Sequence, residues 1–299
     1  MTFQQLQYLL EVYRAGSISD AARKLFVAQS SVSNAISHLE KELGFPIFFR
    51  SRAGVWPTER GQKVLEQASL ICENYQRMTE GDRVEPARLW MSVAEYVPIN
   101  DAFVRFSLEN QERGALSLSY STLPLPSAIE KLTLFELDMV VSLFTEPGNL
   151  SVLKDLLGAK NLCWNSVKVI PAQLRIGPNH PLYEKPDLCL KDMEGYTLVD
   201  SMGKAAFNNQ IIRSALNLSA NRVMFIRNHE LRYQLVSQGS VYSIGCTLPA
   251  YVQEQYRLRC IPLGDFFQYH LVTIYNPLRP KTPEMERFLA LLDEELANI

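Results

Sequence analysis

The side chains best suited to recognition chemistry lie between Gln29 and His38. Gln29, Ser30, Ser31, Ser33, Asn34 and His38 are short hydrogen-bonding groups gathered on one helical face, because Val32, Ala35, Ile36, Leu39 and Leu43 recur at three and four residues on the other. An amide side chain pairs bidentately with adenine, and hydroxyls reach base edges or phosphates. Further along, Arg50 and Arg52 in RSRAG add guanidinium groups of the kind that hold phosphates. The competing reading is a solvated helix face and solvated loop charge.

Such a face needs a rigid mount, and the flanking residues supply one. Ile18, Ala21, Ala22 and Leu25 fall at helical spacing, with Ser17 or Ser19 available as N-cap, and only the FVAQ turn separates this segment from the next. Two short helices so joined form a helix-turn-helix, whose second helix enters the major groove with its N-terminal residues at the base edges. Ahead of it, Phe3, Leu6, Leu9, Leu10, Val12 and Tyr13 predict an amphipathic helix ended by Gly16. After it, Gly44 and Pro46 stop the recognition helix, and Ile47, Phe48 and Val55 predict two short strands around the basic turn. That is a wing, which can reach phosphates or the minor groove. Thr58 then caps a long helix from Glu59 toward Thr79. Its apolar residues Val64, Leu65, Ala68, Ile71, Cys72, Tyr75 and Met78 recur at near-heptad spacing. The stripe packs either on its own domain or on a second copy of the chain, and a dimer would place two recognition helices on a partly palindromic site.

Composition narrows the alternatives. At 299 residues, 47% hydrophobic and 21% charged, the chain has the make-up of a soluble globular protein with room for two or three domains. No apolar run approaches the roughly 18 residues of a membrane span. The opening MTFQQLQYLLEVYRAG lacks a basic leader and a cleavage site, so no signal peptide is expected. Cys72, Cys163, Cys189, Cys246 and Cys260 are odd in number, scattered and without a Cys-x-x-Cys pair, which fits reduced thiols in a cytoplasm. Residues 1–63 carry eight Lys/Arg against five Asp/Glu, a net +3, whereas the whole chain is at −2, leaving −5 on the remainder. A mildly basic head on an acidic body suits a protein that offers one end to DNA.

The pieces FQQLQYLLEVYRAGSISDAARKL, VAQSSVSNAISHLEKELGFPIFFR and TERGQ together resemble the DNA-binding domain of LysR-type transcriptional regulators, in unbroken order over about the first sixty residues. One departure stands out: many members open the recognition helix with Ser-Gln-Pro, where this chain has Ala28, Gln29 and Ser30. Alanine is a poor N-cap, worth about 1 kcal/mol less than serine, and Ser30 lacks the preset dihedral of proline. The resemblance implies a winged helix-turn-helix domain over 1–58, a dimerising linker helix and hinge over 59–86, and an effector-binding domain over 87–299.

In that last region, short apolar runs alternate with helical segments, which predicts an open α/β sheet. The strands expected are LWMSVA, LSLSYS, LDMVVSLF and VKVI, then LRIG, TLVD, VMFIR, VYSIG, LRCIPL and YHLVTIYNP. Helices are expected near Asn100–Asn110, Ser127–Leu134, Leu150–Leu157, Phe207–Leu216 and His229–Gln238, with a last one capped by Thr282. The layout resembles the two-lobed, periplasmic-binding-protein-like effector domain of the same family. One lobe is expected over about 87–170 and 266–299 and the other over about 171–265, with crossings near Pro171 and Asp265. A two-lobed sheet offers a cleft at the carboxyl ends of its strands, where Glu95, Tyr96, Ser121, Thr122, Ser142, Phe144, Ser201, Cys246 and Thr247 are the effector-binding candidates. Each Ser or Thr is equally a helix cap. Family members often bind small carboxylates or aromatic acids there, yet Glu95 disfavours an anion unless it points away.

No GxSxG elbow, P-loop, GxGxxG or HExxH occurs, and His38, His180, His229 and His270 show no ligand spacing. The expectation is therefore no catalytic residue, metal or cofactor. It is a cytoplasmic homodimer or homotetramer that binds double-stranded DNA and a small-molecule effector, with RNA polymerase as a further candidate partner. The alternative is a sensor whose winged helix contacts a protein instead of DNA.

Overall fold

The computed structural model describes residues 1–51, 54–80, 87–146, 150–200, 222–264, 267–297 and 299. Arg52, Ser201, the hinge residues 81–86, the crossing at Asp265 and the helix expected over Phe207–Leu216 lie outside the described residues. The chain divides into two units, Met1–Glu85 with Ile129–Leu137, and Pro86–Ala128 with Asp138–Ile299.

The first unit opens with α1 (Phe3–Ala15), which a capping box of Thr2 and Gln5 starts and Gly16, at φ 63°, ends. Ser17 caps α2 (Ile18–Lys24), its hydroxyl accepting the Asp20 amide at 3.3 Å. A tight turn leads into α3 (Gln29–Leu43), where Ala28 is the N-cap and makes no side-chain cap bond, and Gly44 at φ 76° closes the helix. Leu9, Val12, Val32, Ile36 and Leu39 interlock as the core of this unit. The wing is real: β1 (Phe48–Ser51) pairs antiparallel with β2 (Gly54–Pro57). Thr58 then ties wing to helix, donating to the Pro46 carbonyl and accepting the Gly61 amide, both at 2.9 Å, at the start of α4 (Glu59–Glu80). Gly61 is obligatory, since a Cβ there would sit 1.9 Å from the Ile47 carbonyl oxygen.

The apolar stripe of α4 divides in two. Leu65 and Ala68 are buried in this core, with Val64 and Cys72 packed against it, whereas Ile71, Tyr75 and Met78 are exposed. The first half of the stripe therefore has an intramolecular partner.

The second unit is built on one mixed sheet. It comprises β3 (Ala87–Val93), β4 (Leu116–Ser121), β5 (Met139–Glu146), β6 (Cys163–Ile176), β7 (Thr197–Asp200), β8 (Val223–Phe225), β9 (Val241–Cys246), β10 (Arg259–Pro262) and β11 (Gln268–Tyr275), ordered β4-β3-β5-β11-β6-β9-β7-β8 with β10 also on β6. Helices α5 (Val97–Asn110), α6 (Leu125–Thr133), α7 (Leu150–Ala159), α8 (His229–Gln238), α9 (Ala250–Gln255) and α10 (Pro283–Ala297) follow in chain order, α6 passing at Ile129 from the second unit into the first. Strands β3, β4 and β5 run parallel, as do β7, β8 and β9. Between the two groups, β6 runs antiparallel to β11 on one stretch and to β9 on the next. Phe106 of α5 meets Phe288 of α10 edge-on under the first group, while Leu174, Leu198, Tyr242 and Phe267 fill the core of the second.

Three expectations need correction. VKVI and LRIG belong to one 14-residue strand, β6, instead of ending and starting separate strands at Pro171. Proline is tolerated because it sits where the partner changes: Gln268 of β11 pairs with Pro171, and Cys246 of β9 pairs with Ala172. The helix expected from Asn100 begins at Val97, with Pro98 in its first turn, where a missing N–H costs nothing. The short helix α9 was not anticipated from its pattern.

Candidate nucleic-acid interface and ligand cleft

On α3, Gln29, Ser30, Ser31, Asn34 and His38 are exposed and Ser33 is half-buried, opposite the fully buried Val32, Ile36 and Leu39. The hydrogen-bonding face is thus a continuous outward surface on a well-anchored helix. Gln29 is oriented by Ser19, whose hydroxyl donates to its Oε1 at 3.1 Å. The uncapped start at Ala28 leaves first-turn amides, with the positive end of the helix dipole, facing outward without a side-chain acceptor.

Arg50 is less free than its position in a polar turn implies. Glu40, on α3, accepts the Ile47 and Phe48 amides at 2.9 and 3.2 Å and ion-pairs with Arg50 at 3.1 Å, so the arginine helps lock the wing to the helix. Phe26, which sequence reasoning passed over, is 95% exposed in the turn before α3 and holds a positive φ of 55°. No local signal marks it, since a bulky residue adopts that conformation only at a cost.

In the second unit a cavity of about 110 Å³ opens among Glu95, Tyr96, Leu143, Thr145, Arg175, Asp200, Arg232, Ser243, Cys246 and Tyr269, with further apolar walls. Strands from both groups of the sheet contribute. Arg232, on α8, donates to the Ile226 and Arg227 carbonyls at 3.0 and 3.1 Å and lies 3.8 Å from Glu95. Arg175, on β6, donates to the Cys246 carbonyl. The Tyr96 hydroxyl donates to the Thr247 carbonyl at 2.9 Å. Burial pushes the Tyr96 and Tyr269 phenols well above their usual range and the Cys246 thiol up to about 12, so none of the three ionises near neutrality. Burial also lowers the Arg232 guanidinium, opposed by Tyr233, Glu95 and Asp200. These groups can bind and orient a small molecule, and no activated nucleophile is among them.

Of the sequence candidates, Glu95, Tyr96 and Cys246 line this cavity. Ser142 and Phe144 do not; the strand alternates, and Leu143 and Thr145 take the cavity side of β5. Ser121 donates to the Met91 carbonyl at 3.1 Å, which ties β4 to β3, and Thr122 is exposed. Thr247 lies beside the cavity, its hydroxyl on the Pro171 carbonyl at 2.9 Å. Arg175, Arg232, Thr145 and Tyr269 were missed. An arginine within the apolar run AQLRIG was the one local clue.

Residues 3–62 match the family model described as bacterial regulatory helix-turn-helix protein, lysR family. An HTH-type transcriptional regulator of Methanocaldococcus jannaschii is 26% identical, over 93% of each chain. The regulator TfdS of Cupriavidus pinatubonensis is 27% identical, over 71% of this chain and 70% of its own. Among solved structures, ArgP from Mycobacterium tuberculosis superposes with a TM-score of 0.67 at 15% identity, covering 99% of this chain and 97% of its own. Full-length LysG from Corynebacterium glutamicum, solved with bound effector arginine, gives 0.62 at 14%, covering 99% and 98%. The head's sequence, the near full-length relative and the shared fold agree: residues 3–62 form a helix-turn-helix of the lysR family, and the chain along most of its length is similar to transcriptional regulators of the helix-turn-helix type.

Proposed function

We propose that this regulator is controlled by a small molecule held in the cleft of its second unit, and that it acts in the cytoplasm as a homodimer or homotetramer. The reading is carried by the cleft: a cavity of about 110 Å³ lined by two arginines, a threonine and three tyrosines drawn from distant parts of the chain. LysG, of the same fold, has arginine as its bound effector; the existence of an effector carries over, and its identity does not.

In this reading Gln29 and Asn34 contact base edges, and Ser30, Ser31, Ser33 and His38 support them from the same face. Arg50 and Arg52 serve phosphates, Arg50 after release from Glu40. The exposed half of the α4 stripe, Ile71, Tyr75 and Met78, pairs with a second copy and sets the spacing of two half-sites. The effector changes how the two heads are presented to DNA, and so their joint affinity. RNA polymerase is a further proposed partner. A protein partner in place of DNA is not favoured, since the head matches a DNA-binding family along its whole length.

The test is anisotropy of a labelled fragment from beside the chain's own gene, titrated with protein before and after a metabolite extract is added. An extract-dependent change in affinity supports the reading. Equal affinity throughout, together with a monomer by light scattering at micromolar concentration, refutes it.

A further inference from the structure

We propose that residues 129–137 are a strap that clasps the DNA-binding head, and that this clasp sets how strictly the protein discriminates the spacing of two half-sites. The effect on DNA rests on the function proposed above, while the clasp itself rests on the residues alone.

The first unit is not made from the head's own sequence alone. It takes in Ile129–Leu137, the second half of α6 and the residues that follow it. Leu134, 4% exposed, is buried in one core with Leu65 and Ala68 of α4. Ser69, also buried on α4, donates its hydroxyl to the Leu134 carbonyl. A buried hydroxyl needs such an acceptor, and this one comes from the strap. Along α1, the Tyr13 hydroxyl donates to the Glu130 carboxylate. Beside it the Arg14 guanidinium meets Glu136 at 2.6 Å, where Lys131 adds a second contact at 2.9 Å. Burial favours the protonated acid, but Lys131 and Arg14 outweigh it and hold the Glu136 carboxyl below its usual range. The pair is therefore charged at neutral pH.

The strap is also strained. After α6 the Phe135 amide donates to the Leu132 carbonyl at 3.2 Å and the Glu136 amide to the Lys131 carbonyl at 2.9 Å, with Phe135 at φ 59°. Glycine normally makes that closing turn, and a bulky residue keeps it only where its surroundings insist. Here the turn lets Leu134 and Glu136 both reach the head. Against the strain stand one buried leucine, two hydroxyl bonds and an ion pair that is partly open to solvent and so weakened by salt. Strain set against a modest group of contacts makes an element with two nearly balanced states, as a switch requires.

Helix α6 begins in the second unit and ends in the first. A head joined to the rest of the chain through α4 alone swings about that one joint. A head also clasped by α6 does not. Two clasped heads of a dimer fit one half-site spacing, whereas two released heads fit several.

The experiment uses the full chain. Hydrogen exchange with mass spectrometry reads the amides of residues 129–137 in the wild type, Leu134→Ala, the neutral pair Arg14→Gln/Glu136→Gln, the reversed pair Arg14→Glu/Glu136→Arg and, as a surface control, Glu112→Gln. Anisotropy reads binding to the DNA beside the chain's own gene, with and without about five extra base pairs, half a helical turn, at the centre of its footprint. Exchange in the strap is expected to quicken tenfold or more in Leu134→Ala and several-fold in the neutral pair, and to return toward wild type in the reversed pair. The wild type is expected to bind the lengthened fragment at least tenfold more weakly than the native one, and both released variants to narrow that gap to threefold or less. The neutral pair leaves the core intact, so it decides the matter if Leu134→Ala fails to fold. Unchanged exchange in the released variants, no spacing preference in the wild type, or a gap left at its wild-type size once exchange has quickened would overturn the proposal. Exchange is read without DNA, so a wild type that protects the strap and binds no DNA would count against the function proposed above and leave the clasp standing.

Discussion

The face of α3 and the cleft of the second unit place chemistry in opposite ways. On α3, six polar side chains from ten consecutive residues share a surface because the helix turns them there, and Val32, Ile36 and Leu39 hold it in place from behind. In the cleft, Glu95, Thr145, Arg175, Arg232 and Gly245 come from five segments spread over about half the chain, and only the completed sheet brings them together. The first site is open, neutral and backed by a core. The second is a recess whose walls hold two arginines and two acids. Local periodicity writes the first kind of site, and long-range strand pairing writes the second.

If that contrast is right, substitutions on α3 should act on DNA alone. The double variant Gln29→Ala/Asn34→Ala is expected to lose about 2–6 kcal/mol of operator binding in a gel-shift titration, with ligand binding untouched; loss of ligand binding as well would blur the division. Behind the face, Ile36→Ala should destabilise the first unit by about 2–5 kcal/mol in chemical denaturation, since Ile36 is fully buried. A cost below about 1 kcal/mol would mean that the helix is not held as described.

Acid is expected to act on the second unit. Burial keeps the His180 imidazole below its ordinary value, so the unfolded chain binds the extra proton. Its contribution is complete above about pH 6.5 and is lost as pH falls through that value toward the lowered folded one. His229 is lowered likewise, first by burial, and adds in the same direction. Denaturation at pH 7.5 and 5.5 should show the decline, and His180→Phe should flatten it; an unchanged slope would exclude His180 as a source.

Two smaller effects sharpen the picture of the head. Glu40→Gln keeps an acceptor for the wing amides but frees Arg50, costing less than about 1 kcal/mol of stability. It should steepen the salt dependence of DNA binding by roughly one unit; no steepening would mean that Arg50 is not a phosphate group in waiting. Ala28→Ser should supply the missing cap and raise stability by about 1 kcal/mol in thermal denaturation, and no gain would show that the helix start needs none.

Much of the head was legible because its signals are local: Gly16 and Gly44 in left-handed conformations, Ser17 and Thr58 as caps, and the three-and-four spacing of Val32 to Leu43. The strands of the second unit were also legible, yet which side of each faced the cleft was not. On β5 a one-residue shift exchanges Ser142 and Phe144 for Leu143 and Thr145, and nothing local decides between them. Arg175 and Arg232 look alike in sequence. Their difference arises from Glu95, about eighty residues before the first, and from Gly245, on a strand that pairs alongside.

The most direct test of the account is the salt dependence of binding to the DNA beside the chain's own gene, measured against random DNA of equal length from 50 to 200 mM salt. The account expects a steep log–log decline, from several phosphate contacts, with the native fragment about a thousandfold or more tighter than random DNA at physiological salt. Affinity that is equal for both fragments and flat in salt would contradict it.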